Sequence, residues 1–271
     1  MRLIFLGTAA AEGYPGVYCN CANCIEARTL GGRNLRYRSA LLVNDNLLID
    51  CGPDLGAAAQ RFNKTLARVT TGLVTHAHED HFYTGNFHMR RVDFTGKLEI
   101  PSMRLFAPHD VADILSAEVP DLSIYRIESH TVRANDCWEN DGYTFNAFHA
   151  HHAIGRYDAL FYSVDDGQHS FLYATDTGAF PAETWAALAG RSFDVIILEE
   201  TMGFGSYSQH IGFDGFIEHA QRMRAEGMLR PGGRVIAHHM SHTNNPVHEK
   251  IEAILNPHGV EVAYDGLEIV L

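Results

Sequence analysis

Apolar positions along the chain fall into short runs separated by polar turns. Runs of strand length stand at Leu3 to Leu6, Ala40 to Val43, Asn46 to Ile49, Gly72 to Thr75, Arg104 to Ala107, Tyr143 to Phe148, Ala159 to Val164, Ser170 to Ala174 and Asp194 to Leu198, with two more at Arg234 to Ala237 and Val260 to Ala263. Helices are predicted at Asp54 to Phe62, after Pro108, after Pro181, at Phe213 to Glu226 and at Pro246 to Leu255, each opened by Pro, an acidic residue or Gly. Paired strands come first, strand-helix alternation follows, and the second half repeats both habits. This order predicts one α/β domain over residues 1–271, built as two packed sheets with outer helices. The interval from Gly7 to Arg38 reads as irregular and is too long for a plain connection, so it is expected to be functional or independently stapled.

Composition narrows the partners. Lys plus Arg total 21 against 33 for Asp plus Glu, a formal charge of −12, which argues against a long polyanion as the main partner. Gly, charge or His interrupts every apolar run before the ~20 residues needed to span a bilayer. Met1 to Gly7, with the alanines behind them, imitate a signal peptide only faintly and read as a first strand. The five cysteines are odd in number, and three of them crowd into Cys19-Asn20-Cys21-Ala22-Asn23-Cys24, a metal-like spacing that points to a reducing cytoplasm. Cys51 and Cys137 lack such neighbours and read as core or loop residues.

The 17 histidines carry the chemistry. In Thr75-His76-Ala77-His78-Glu79-Asp80-His81 an apolar strand ends in three His and one Asp within six residues, a density suited to divalent metals. His76 and His78 can converge from an extended turn, unlike the i, i+4 pair of helical zinc proteases, and Asp80 and His81 then point to a second site beside the first. Cys19, Cys21 and Cys24 offer three soft ligands, and His242 is a candidate for the fourth that a tetrahedral structural zinc requires.

His-x-His-x-Asp-His after an apolar strand resembles the metallo-β-lactamase superfamily, whose fold is an αββα sandwich of two mixed β-sheets with outer helices. The resemblance implies a third ligand for the first ion from Ala147-Phe148-His149-Ala150-His151-His152, with His152 preferred and His151 and His149 as alternates. It also implies a bridging aspartate, Asp176 in Ala174-Thr175-Asp176-Thr177-Gly178, and a last ligand, His239, from His238-His239-Met240-Ser241-His242, where His238 competes. Asp50 matches a family position from which it could orient ligand histidines. The cysteine cluster together with His242 resembles the cyclic-phosphate phosphodiesterases of bacterial phosphonate degradation, and implies a zinc-stapled N-terminal loop at about residues 8–38.

Two divalent ions (Zn, Mn, Fe or Ni) ~3.5–4 Å apart can share a water and lower its pKa, so ester hydrolysis follows. A histidine near the ions but not bound to them would protonate the leaving alkoxide. His210, in Ser208-Gln209-His210-Ile211-Gly212, holds a position similar to the proton-donating His of the superfamily's phosphodiesterases, and stands with Asp80 as a catalytic residue. Arg33, Arg36 and Arg38 could meet a phosphate, although a solvated basic patch is the plainer reading. The expected function is hydrolysis of a small or cyclic phosphodiester, without long nucleic acid or membrane as partner, by a chain that resemblance pairs into a homodimer. The rivals are a lactonase or thioesterase of the same fold, a pyrroloquinoline-quinone biosynthesis relative, and a non-enzymatic metal-binding module.

Overall fold

Strand β1 (Arg2–Gly7) is apolar from Leu3 to Leu6, and all four side chains are fully buried. Alternation sends Leu3 and Phe5 into one apolar cluster and Ile4 and Leu6 into another. A sheet built from such strands must be covered on both faces. The computed structural model describes residues 1–96, 100–119 and 121–271. Within them the chain continues through β2 (Ala40–Val43), β3 (Leu47–Ile49), β4 (Thr71–Leu73), β5 (Met103–Ala107) and β6 (Ile127–Thr131). It then crosses to a second sheet for β7 (Cys137–Asn140), β8 (Tyr143–His149), β9 (Leu160–Asp165), β10 (Ser170–Ala174), β11 (Phe193–Glu199), β12 (Leu229–His238) and β13 (Val260–Val262), and returns with β14 (Glu268–Val270).

The described strands make two mixed sheets of seven, ordered β14-β1-β2-β3-β4-β5-β6 and β13-β12-β11-β10-β9-β8-β7. Each has antiparallel pairs at one end and parallel pairs at the other, the parallel ones being β3 to β6 in the first and β10 to β13 in the second. Leu3, Phe5, Leu41 and Ile49 face Phe145, Tyr162, Phe171 and Ile197 across the interface between the sheets. Among the helices, α1 (Ala22–Leu30), α2 (Leu55–Arg61) and α3 (His109–Glu118) precede α4 (Ala182–Leu188), α5 (Phe213–Ala225) and α6 (His248–Leu255). Leu55, Val111 and Leu115 cover the outer face of the first sheet, while Trp185, Phe216, Met223 and Ile251 cover that of the second. The layers are therefore αββα, as expected. No helix among the described residues is long and apolar enough to cross a membrane.

Three strands escaped the hydrophobic pattern. In β6 only Ile127 is buried, β7 is a sheet edge with Cys137 exposed, and β14 buries Ile269 alone, so none shows an apolar run. Helix α1 lies inside the interval expected to be irregular; it buries only Cys24 and Ala27 and carries no side-chain cap. Strand β12 starts at Leu229, earlier than its apolar stretch.

Arg36 corrects the sequence reading, since it is buried and already engaged, whereas Arg33 and Arg38 keep partly exposed side chains held in ion pairs. Arg33 pairs with Glu252 at 3.0 Å and Arg38 with Asp54 at 2.9 Å. Arg36 is buried and donates to Thr8 Oγ1 (2.8 Å), the Ala263 carbonyl (2.6 Å) and His248 Nδ1 (2.7 Å), which fastens the N-terminal segment to the C-terminal one. Arg36→Met would leave these buried acceptors unpaired and is expected to destabilise the fold by about 3 kcal/mol in urea titration. His248 must stay neutral to accept from Arg36, and burial, followed by Arg36 and Arg33, holds its pKa down to about 3. An unfolded histidine titrates near 6.5, so between about pH 6.5 and 3 the unfolded chain binds a proton that the folded chain refuses. Stability from this group is complete above that window and falls by up to about 1.4 kcal/mol per unit as pH drops through it. Unfolding midpoints at pH 7 and 5 are expected to differ less in His248→Gln than in the wild type.

Candidate metal centre

The loops after β4, β8, β10, β11 and β12 meet at one edge of the two sheets, and each brings titratable side chains. The first leaves the ladder at Leu73, so Val74 and Thr75 already belong to the turn. Asp50, at the end of β3, accepts from the Thr75 amide (2.9 Å) and hydroxyl (3.0 Å), and its other oxygen lies 2.8 Å from His81 Nδ1. Asp50, Asp176 and His239 all have φ between 50° and 64°, a left-handed conformation that turns each side chain sharply at a strand end. Gly52 permits the close approach of the histidine loop, since a Cβ there would stand 2.0 Å from the Asp80 carbonyl oxygen.

Two four-residue donor sets result, and Asp176, Glu199 and His210 make a third, smaller group beside them. His76, His78, His152 and Asp176 form one; Asp80, His81, Asp176 and His239 form the other, and within each set the ligand atoms lie within 4.8 Å of one another. In the first, His78 Nδ1 is 2.9 Å from His76 Nε2 and 3.1 Å from His152 Nε2, while His76 Nε2 is 3.3 Å from Asp176 Oδ2. In the second, His81 Nε2 is 3.2 Å from His239 Nε2, 3.1 Å from Asp80 Oδ2 and 2.8 Å from Asp176 Oδ2. Asp176 thus stands between the sets and contributes to both.

The donors fit divalent ions. Bonds of about 2.0–2.1 Å in a tetrahedron put ligand atoms roughly 3.3 Å apart, close to the observed separations. Asp50, Asp80 and Asp176 are buried, and no Lys or Arg pairs with them among the described residues, so their negative charge calls for cations. At His76, His78, His152, Asp80 and Asp176 the protonation states agree with ligation. Burial holds His76 well below its ordinary pKa, with help from His81, and burial likewise lowers His78 and His152. Burial alone would raise Asp80 and Asp176, but His81 overrides it at Asp80, and His239 with His81 at Asp176, so both stay well below the usual carboxylate range. Burial would also lower His81, yet Asp80, Asp176 and Asp50 push it well above 6.5, which marks where positive charge is wanted.

His210 stands at the edge of this centre. Its Nδ1 is 2.9 Å from Glu199 Oε2 and 3.6 Å from Asp176 Oδ1. Burial opposes protonation there, but Glu199 raises the pKa to about 9. Glu199 is wholly buried and also accepts from the amides of Ile211 (2.8 Å) and Thr177 (3.3 Å). Sequence reasoning missed it; the available signal was an acidic pair, Glu199-Glu200, closing an apolar strand. Of the alternates, His149 is exposed, and neither it nor His151 joins a donor set. His238 is buried elsewhere, with Nε2 2.8 Å from Ser39 Oγ and 3.3 Å from the Tyr173 hydroxyl.

A separate set gathers Cys19, Cys21, Cys24 and His242, again within 4.8 Å. Cys21 Sγ is 3.7 Å from His242 Nδ1, and the Gly16 amide donates to Cys24 Sγ at 3.3 Å. Burial lifts Cys24 to about 12; it acts in the same sense on Cys21, where the Cys24 amide and contacts with Cys19 and His242 win and bring the thiol to about 7. Three sulfurs and one imidazole nitrogen suit a tetrahedral zinc.

A family profile described as "Beta-lactamase superfamily domain" matches residues 45–240. The chain belongs to the β-lactamase superfamily. It is 27% identical, across 98% of each chain, to coenzyme PQQ synthesis protein B of Cupriavidus necator. Among solved structures it resembles a diphosphatase of the PhnP family (TM-score 0.78, 23% identity, 100% of this chain and 97% of that one). A Zn²⁺-bound PqqB from Methylobacterium extorquens is similar too (TM-score 0.78, 19% identity, all of both chains). The superfamily and fold expected from the histidine motif are those found.

Proposed function

We propose that the protein is a dinuclear metal-dependent phosphodiesterase that hydrolyses a small phosphodiester. The observation that carries this reading is the shared Asp176 between two donor sets, with the His210–Glu199 pair at its edge. His76, His78, His152 and Asp176 would hold one ion, and Asp80, His81, Asp176 and His239 the other. Bound there, two divalent ions would supply Lewis acidity, a water of lowered pKa and charge neutralisation at the phosphate oxygens. Glu199 holds Nδ1 of His210, which leaves Nε2 free to donate a proton to the departing alkoxide. Asp50 fixes the ring of His81 through Nδ1 and so turns Nε2 toward Asp80 and Asp176. Cys19, Cys21, Cys24 and His242 would hold a third, structural zinc. The surplus of acidic residues favours a small substrate over a polynucleotide.

One observation favours a second reading, a role like that of coenzyme PQQ synthesis protein B: two such proteins, at 27% and 26% identity, match nearly the whole chain. Turnover separates the two. A panel of nitrophenyl phosphodiesters, cyclic nucleotides, ribose cyclic phosphates, lactones and thioesters is expected to give phosphodiester hydrolysis that His76→Ala abolishes. Lactone turnover without phosphodiester turnover would sink the proposal. In His210→Ala, kcat for alkyl phosphodiesters is expected to fall by about 10²–10⁴ while nitrophenyl esters, whose leaving group needs no proton, fall far less.

Elemental analysis of gently purified protein is expected to find about three metal ions per chain. Asp176→Ala should retain about one of them, and Cys24→Ser should lose the structural zinc together with thermal stability. Protein that carries no metal at all would overturn the reading.

A further inference from the structure

We infer that the leaving half of the substrate is an alcohol bearing a planar heteroaromatic group, of the nucleoside class, held in a cavity behind His210. The inference rests on the phosphodiesterase reading above. His210 belongs to two places at once: it lies 3.6 Å from Asp176 at the centre, and it forms part of the wall of a cavity of about 450 Å³, a size ordinary for small-molecule sites. In hydrolysis the oxygen of water forms a new bond to phosphorus, the P–O bond to the leaving oxygen breaks, and its electron pair stays with that oxygen. His210 Nε2 supplies the proton that completes the alcohol, and the proton that the attacking water gives up passes to solvent, from which His210 is reprotonated. The leaving oxygen must therefore approach His210, and whatever it carries extends toward the cavity that His210 lines.

The walls describe that group. Phe204 is 74% exposed and stands edge-on to Phe213, with ring centroids 4.9 Å apart. Tyr207 is 50% exposed, leans over His210 with centroids 5.8 Å apart, and accepts at its hydroxyl from the Gln209 amide. Two large, well-exposed aromatic rings lining a cavity that shares His210 with the centre can act as stacking platforms. Ser206 and Asp214 add polar atoms that can meet the donor and acceptor edges of a heterocycle. No Lys or Arg lines the cavity, and Asp214 adds a negative charge to its wall, which disfavours a leaving group that carries a further phosphate.

The test is the product partition of the methyl ester of thymidine 5′-phosphate, with the metal-loaded enzyme. Two alcohols can leave from this diester, thymidine or methanol. The inference expects thymidine and methyl phosphate to exceed thymidine 5′-phosphate and methanol by at least about tenfold, the worth of one stacked base. Phe204→Ala and Tyr207→Ala should each lower that ratio several-fold, whereas Phe94→Ala, an exposed aromatic outside the cavity, should leave it unchanged. The ratio is internal to each preparation, so partial unfolding of a variant does not distort it. Predominant release of methanol, or a ratio unmoved by both cavity substitutions, overturns the inference. Failure to cleave the thymidine ester while bis(nitrophenyl) phosphate is hydrolysed overturns it and leaves the phosphodiesterase reading standing. If no phosphodiester is cleaved, both fall.

Discussion

Buried negative charge without basic partners is the constraint on which this structure turns. Asp50, Asp80 and Asp176 are packed under the edge where the two sheets meet, facing histidines and not lysines or arginines. Taking carboxylates out of water is unfavourable by several kcal/mol each unless cations compensate. Neutral His76, His78 and His152 on one side of Asp176, and His81 and His239 on the other, turn that burden into two adjoining donor sets. The left-handed backbone at Asp176 and His239 is tolerated for the same reason: the donors must point inward from strands that would otherwise carry them past.

The scaffold holds this geometry by tying distant segments to the metal edge. The loop after β12 places His239 at the centre and His242, three residues on, beside the cysteines. Ala9 bridges both Met240 and Arg38, the Tyr14 hydroxyl donates to the Asn245 carbonyl at 3.0 Å, and Asn23 donates to the His242 carbonyl at 3.0 Å. The N-terminal loop, the cysteine cluster and the last metal-edge loop are therefore tied directly to one another. Arg36 continues the fastening inward, to Thr8, Ala263 and His248. A small shift at the cysteines would be transmitted to His239 through a few bonded residues.

Much of this was legible in the chain. The strands buried on both faces, β1, β2, β10 and β11, announce themselves as apolar runs, because both faces pack against apolar layers along most of their length. The His76 to His81 motif declares metal binding by density alone, and the cysteine spacing declares a second kind of site. Strands β6, β7 and β14 stayed hidden, since an edge strand needs only one buried side chain and its ladder bonds, neither of which leaves a periodic trace.

What sequence by itself determined, then, was the set of layers and the chemical character of the loops, because both follow from local alternation and local ligand density. Only the tertiary structure chose among neighbours. His152 over His149 and His151, and His239 over His238, depends on which way a side chain faces at the end of a strand, and a one-residue step reverses that direction. Glu199 became visible as a partner only when β11 delivered it beside His210, and Arg36 proved to be an internal clamp because its acceptors come from segments more than 200 residues away as well as from Thr8. These are contacts of long sequence separation, decided by packing, and no local pattern encodes them.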